Sequence, residues 1–158
     1  MQPHAGRACL PRLGSLPPRS RGDRVVDPVL AGSEPAIRVL AMPADTNPTG
    51  DIFGGWIMAQ IDLAGGIVAS RRARGRVVTV AMNAFEFHEP VFVGDLVSCY
   101  GRVVRVGRTS LTLHLEAIAE RASDPGLLVK VTEATATFVA VDDQRRPRPV
   151  PPEAISPA

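Results

Sequence analysis

The chain has 158 residues, enough for one domain rather than two. Hydrophobic residues make up 45% of it and aromatic residues only 4%, so the core has to be built from Val, Leu, Ile and Ala. The formal net charge of +2 argues neither for nor against nucleic acid. Cys9 and Cys99 are far apart, with no CxxC spacing and no Cys/His cluster, which excludes a disulfide framework and a zinc site and suits a reducing cytoplasm.

Residues 1–32 hold five arginines and five prolines with little periodicity, and lack the unbroken apolar segment of a secretory signal. They read as a disordered tail or an over-long gene start rather than a targeting segment. The domain proper is expected over residues 33–150, with 151–158 as a second tail. Ala36 to Met42 reads as a short strand ended by Pro43, and the turn formers of 43–51 (PADTNPTGD) as an irregular loop. From Gly54 to Arg72 the pattern is helical and apolar nearly all round, closing on Arg71 and Arg72, which suit the negative end of the helix dipole. Such a helix belongs in a core. The run from Phe53 to Ala69 is too short, and at Gln60 and Asp62 too polar, to span a membrane. Gly65 and Gly66 each cost the helix about 1 kcal/mol against alanine, tolerable where another backbone or a ligand packs close.

After Gly75 every segment reads as strand: Val77 to Phe87, Leu96 to Val106, Thr109 to Ala119 and Val129 to Val141. Gly94-Asp95, Gly107 and Pro125-Gly126 supply the turns between them. The run 145–152, rich in Arg and Pro, is expected to be extended on the surface. A sheet around one helix leaves a side uncovered, which predicts dimerisation.

The order strand, helix, four strands resembles the α+β hot-dog fold, an antiparallel sheet wrapped around one long central helix. The likeness becomes specific at residues 41–56 (AMPADTNPTGDIFGGW) and continues through 58–62, 75–80, 90–95, 106–110 and 132–134. These segments are similar to YciA-type acyl-CoA thioesterases over about Ile37 to Pro151. The resemblance implies hydrolysis of acyl-CoA to free acid and CoA without a metal or organic cofactor. It also implies active sites at a dimer interface, with dimers assembling as trimers into hexamers, and CoA lying along the sheet. By motif, the catalytic pair falls on Asn47 and Asp62. Pro48-Thr49 and Phe85-Glu86-Phe87 depart from the common pattern and leave acyl-chain preference open.

The residues add their own argument. Asp62 is the one acid in an apolar helix, where burial without partners costs several kcal/mol. It is either turned to a local opening as a structural group, or a catalytic carboxylate that deprotonates water or attacks the carbonyl itself. Gly54 and Gly55 begin the helix and expose amides suited to an oxyanion, or merely permit a tight turn. Gly55 and Asp62 are seven residues apart, about 10 Å at ~1.5 Å per residue. One helix can hardly bring both to a single carbonyl, so Asp62 is expected to work with Gly55 and Asn47 of another protomer. Asn47 would orient water or bond the carbonyl; its local alternative is an Asx turn.

Arg108, Thr109 and Ser110 after the turn glycine, and Arg105 before it, are candidates for CoA phosphates, or else an ordinary charged hairpin tip. Arg146 and Arg148 are further phosphate candidates. The arginines lack an aromatic platform, so no nucleic-acid partner is expected. His88 and His114 lie off the helix and read as structural, against a hydratase or dehydratase; Cys99 reads as a small core residue. A non-catalytic acyl-CoA sensor on the same fold would be expected to lack Asp62.

Overall fold

The computed structural model describes residues 33–152; the segments 1–32 and 153–158 lie outside it, so the reading of the first thirty-two as a disordered tail goes untested. Strand β1 (Ile37–Leu40) is followed by a 3₁₀ turn at Pro43–Asp45 and helix α1 (Gly54–Ala73). Strands β2 (Val77–Phe87), β3 (Leu96–Val106), β4 (Ser110–Glu120) and β5 (Leu128–Ala140) complete the chain in one antiparallel sheet of order β1-β3-β4-β5-β2. The expected element order holds, with boundaries within two residues of expectation.

Period-two alternation decides which side chains meet the helix. Leu111, Leu113 and Leu115 on β4, with Ala134, Ala136 and Phe138 on β5, are buried against Ile57, Ile61, Ala64 and Ala69. Each fully buried Leu or Phe contributes about 2 kcal/mol of transfer free energy. At Gly65 the helix lies tight against the sheet. A Cβ there would lie 2.7 Å from Phe138 Cζ and 2.9 Å from Leu115 Cδ1. Gly66 instead borders open space in the single chain, so close packing accounts for one of the two glycines.

The β2–β3 connection and the end of β4 meet at a closed polar corner. Asp95, 2% exposed, accepts from the Arg121 guanidinium, from Phe92 N (3.0 Å) and from Ala122 N (3.2 Å). Arg121 also donates to Pro90 O and lies over the Phe92 ring. Burying that carboxylate is tolerable because its oxygens are occupied.

The C-terminal run is not simply extended. Val141 bridges to Pro147, Arg146 pairs with Asp142, and Arg148 turns inward to donate to Ala73 O (2.9 Å) and Val141 O (3.2 Å). Arg72 in turn donates to Pro151 O (2.8 Å). The tail therefore supplies a partner to the Ala73 carbonyl, one of the terminal carbonyls that helix geometry leaves unpaired.

Candidate active site

One long side of the molecule is unfinished. Strand β2 is an edge strand of eleven residues, and among the described residues no strand lies beyond its outer N–H and C=O groups. Val78 and Val80 on it are exposed, as are Phe53, Met58 and Leu63 on or beside α1. A long edge strand next to an apolar helix face is a surface made for another chain.

Asp62 lies on this side. It is half-buried, and Thr79 Oγ1 of β2 donates to its Oδ1 at 2.7 Å. No other hydrogen bond to the carboxylate exists among the described residues, so Oδ2 keeps its lone pairs for chemistry. Sequence reasoning missed Thr79. Its signal was present: it is the one hydroxyl in the run Val77–Met82 (VVTVAM).

Phe53 caps α1 in extended conformation, so the amides of Gly54 and Gly55 fall in the first turn and have no carbonyl to bond within the helix. Phe87, at the far end of β2 from Thr79, covers Gly54: a Cβ there would meet its Cζ at 3.4 Å. A Cβ at Gly55 would meet Phe53 Cδ1 at 3.6 Å. The start of the helix thus lies beside two half-exposed aromatic rings.

Asn47 makes the local turn that was its simpler reading. Its Oδ1 accepts from Thr49 N (2.9 Å), Thr49 Oγ1 (2.6 Å) and Asp51 N (3.1 Å). The acceptor end is spent, and Nδ2 donates to nothing among the described residues. Asn47 is therefore equipped to donate to a carbonyl oxygen rather than to accept from water.

Within one chain these groups lie apart. Gly54 sits under Phe87 and Asp62 against Thr79, eight residues apart along the helix, about 12 Å at ~1.5 Å per residue.

The phosphate candidates separate. Arg105 and Arg108 are exposed at the β3–β4 hairpin, where Gly107 N donates to Ser110 O (2.7 Å). Thr109 and Ser110 are half-buried, and Ser110 already belongs to β4. Arg146 is tied to Asp142, and Arg148 is engaged with backbone carbonyls; Arg148 acts as a strut under the helix end, a role that its motif position did not reveal.

Two His/Glu groups lie on the outer face of the sheet, away from α1. Glu86, Glu133 and Glu116 stand in lateral register across β2, β5 and β4. His88 approaches Glu133 (3.4 Å) and His114 approaches Glu116 (2.8 Å). A cation is already built in: Lys130 Nζ bonds Glu116 (3.2 Å) and Glu133. Partial burial works against the ammonium, but bonds from Glu133 and Glu116 outweigh it and hold Lys130 above its ordinary value. The same Lys130 contact holds Glu133 below the usual carboxylate range. Neither histidine bonds Asp62; each is paired with a glutamate of the sheet instead. Cys99 is buried in β3, and burial pushes its thiol up to about 12, so it stays a protonated core residue.

Known proteins resemble this arrangement closely. Residues 49–124 match the thioesterase superfamily. The acyl-CoA thioester hydrolase YciA of Salmonella typhimurium is 51% identical over 120 residues, covering 75% of this chain and 90% of that protein. The chain belongs to the YciA-type acyl-CoA thioester hydrolase family. Solved structures agree with that membership. The hexameric thioesterase y2039 from Yersinia pestis superposes with a TM-score of 0.73 at 48% identity, covering 77% of this chain and 98% of that one. HI0827, a hexameric broad-specificity acyl-coenzyme A thioesterase, gives 0.72 at 48% identity, covering 76% and 82%. The fold of this YciA-type chain is the hot-dog fold. Among its described residues no helix is long and apolar enough to cross a membrane.

Proposed function

We propose that this protein hydrolyses acyl-CoA thioesters to free acid and CoA, with Asp62 as the carboxylate that activates water or attacks the carbonyl. The observation that carries the reading is Asp62 itself: half-buried on an apolar helix, fixed through one oxygen by Thr79, with the other oxygen available. In the second protomer, the amides of Gly54 and Gly55 polarise the thioester oxygen and Nδ2 of Asn47 donates to it. The reaction needs no metal or organic cofactor in this scheme, because the carboxylate supplies the base and the amides supply the positive potential. The hexamers of its relatives support an assembly of three dimers, with the β2 edge and the bare face of α1 as the dimer contact. Cys99, a buried thiol without a disulfide partner among the described residues, supports work in a reducing compartment such as the cytoplasm.

The test is thiol release from a panel of acyl-CoAs by wild type and Asp62→Asn. Wild type is expected to turn over the panel and Asp62→Asn to lose about 10²–10⁴-fold in kcat. Equal rates in the two proteins overturn the role of Asp62. Binding of acyl-CoA without release by wild type points instead to a sensor.

A further inference from the structure

One group of side chains plays no part in the thioester scheme: the row of Glu86, Glu133 and Glu116 across the outer face of the sheet, with His88 and His114 beside it. Like charges directly opposite each other on neighbouring strands destabilise a sheet. Here three carboxylates share the single ammonium of Lys130, a formal charge of −2 with both histidines neutral. Lys130 also divides the row in two. Its Nζ bonds Glu116 Oε1 and Glu133 Oε2, and His114 Nε2 shares Glu116 Oε1, so that half is closed among its own members. The other half is open. Glu133 Oε1 faces His88 Nε2 at 3.4 Å, and the exposed Glu86 carboxylate makes no hydrogen bond or ion pair among the described residues.

Strand pairing holds the open half in place. Glu86 stands opposite Glu133 and Phe87 opposite Thr132, and His88 N donates to Val131 O (2.8 Å). Glu86 and His88 are two residues apart and so share a face. One ligand atom from each of Glu86, His88 and Glu133 lies within 4.8 Å of the other two. The ligands of a tetrahedral zinc ion stand about 3.4 Å apart on bonds of ~2.1 Å. Exposed side-chain ends need to move only about 1 Å to reach that spacing.

We infer that Glu86, His88 and Glu133 bind a first-row divalent cation of the zinc class, with water completing its coordination. The imidazole favours such an ion over calcium or magnesium, and the carboxylates supply the negative charge that the row holds in surplus. Lys130, bonded to the second oxygen of Glu133, orients that ligand from outside the coordination sphere. Spacing along the chain excludes a zinc site built on cysteine; this set contains no thiol and is assembled by strand pairing instead. The ion ties β5 to the end of β2 beyond the register shift between Asn83 and Glu86. Its two ligands on that side flank Phe87, the residue that covers Gly54.

The experiment titrates the EDTA-stripped full-length chain with Zn²⁺ by calorimetry and with Co²⁺ by visible absorption. Three proteins are compared: wild type, Glu86→Gln/His88→Gln and His4→Gln/Cys9→Ser. The last removes an imidazole and a thiol that lie outside the described residues. Wild type and His4→Gln/Cys9→Ser should each take up about one Zn²⁺ per chain, and Zn²⁺ should raise their melting temperature. Glu86→Gln/His88→Gln should bind about a hundredfold more weakly or worse, since losing even an outer-shell partner of a ligand costs about 10–100-fold. A cooperative melt of that variant without metal shows that these exposed substitutions leave the fold intact, and Zn²⁺ should not raise it. Equal Zn²⁺ affinity in wild type and Glu86→Gln/His88→Gln overturns the assignment. So does the absence of uptake by wild type, or uptake that disappears with His4 and Cys9. Each readout is independent of thioester hydrolysis, so the site stands or falls apart from the thioesterase reading.

Discussion

Asp95 and Asp62 are both single carboxylates set among apolar neighbours, and the molecule treats them in opposite ways. Around Asp95 every nearby donor is used: a guanidinium and two backbone amides reach its two oxygens, and the group is almost wholly removed from water. Around Asp62 a single hydroxyl is supplied, nearby side chains such as Leu63 and Val80 stay exposed, and among the described residues the adjoining strand is paired on one edge only. A saturated carboxylate holds two chain segments together and can do little else. A carboxylate with one oxygen fixed and one available is held in orientation without being chemically spent. The contrast separates a saturated acid from one left with an open oxygen without reference to their positions in sequence.

The comparison can be broken at either end. Asp95→Ala leaves the Arg121 guanidinium buried and unpaired, and should cost about 3–5 kcal/mol, read as a lowered midpoint in urea; activity per folded molecule should persist. A loss below about 1 kcal/mol would mean that the corner is wetter than its burial indicates. Lys130→Met strips the buried Glu116 of its cation and leaves three carboxylates in a row, at an expected cost of about 2 kcal/mol at neutral pH. The pH dependence has a definite sign. Lys130 is raised in the folded state, so its contribution is complete below the ordinary lysine value and fades as pH climbs through the folded one. Glu133 is depressed, so its contribution is complete above the ordinary glutamate value and fades as pH falls through the folded one. The wild-type advantage over Lys130→Met should therefore form a plateau across neutrality and shrink at both extremes.

On the open side, Thr79→Val keeps the β-branched shape and removes only the hydroxyl. It should lower kcat roughly tenfold or more, the worth of a hydrogen bond to a charged group, and Thr79→Ser should restore most of the activity. A kcat equal to wild type would remove Thr79 from the site. The smallest effect expected is at Ala84, which interrupts β2 at φ +47° beside a register shift between Asn83 and Glu86. Ala84→Gly relieves that left-handed conformation and should raise stability by about 0.5–1 kcal/mol, visible as a higher melting temperature.

The sequence made the helix and the four later strands legible because each is long and strongly periodic, and because the turns between those strands carry glycine. Asp62 stood out for the same reason, as a polar residue breaking an apolar pattern. Thr79 did not, since a threonine in a strand is ordinary and only the packing of β2 beside α1 turns it into a partner. Arg148 misled for the converse reason: a charged residue among prolines looks solvent-bound, while its guanidinium is directed inward by a bridge between Val141 and Pro147 that composition cannot reveal. The row of Glu86, Glu133 and Glu116 was invisible as a unit, because its members lie on three strands and meet only through their register.

The closing tail also fixes an order in time. Among the described residues strand β2 pairs only with β5, and the Ala73 carbonyl at the end of α1 waits for Arg148, 75 residues downstream. Contacts of such separation close late. During synthesis the helix bearing Asp62 emerges early, yet its end and its flanking strand stay unsecured until nearly the whole chain has left the ribosome. A message truncated anywhere before codon 148 should yield not a weakened enzyme but a chain for proteases to clear.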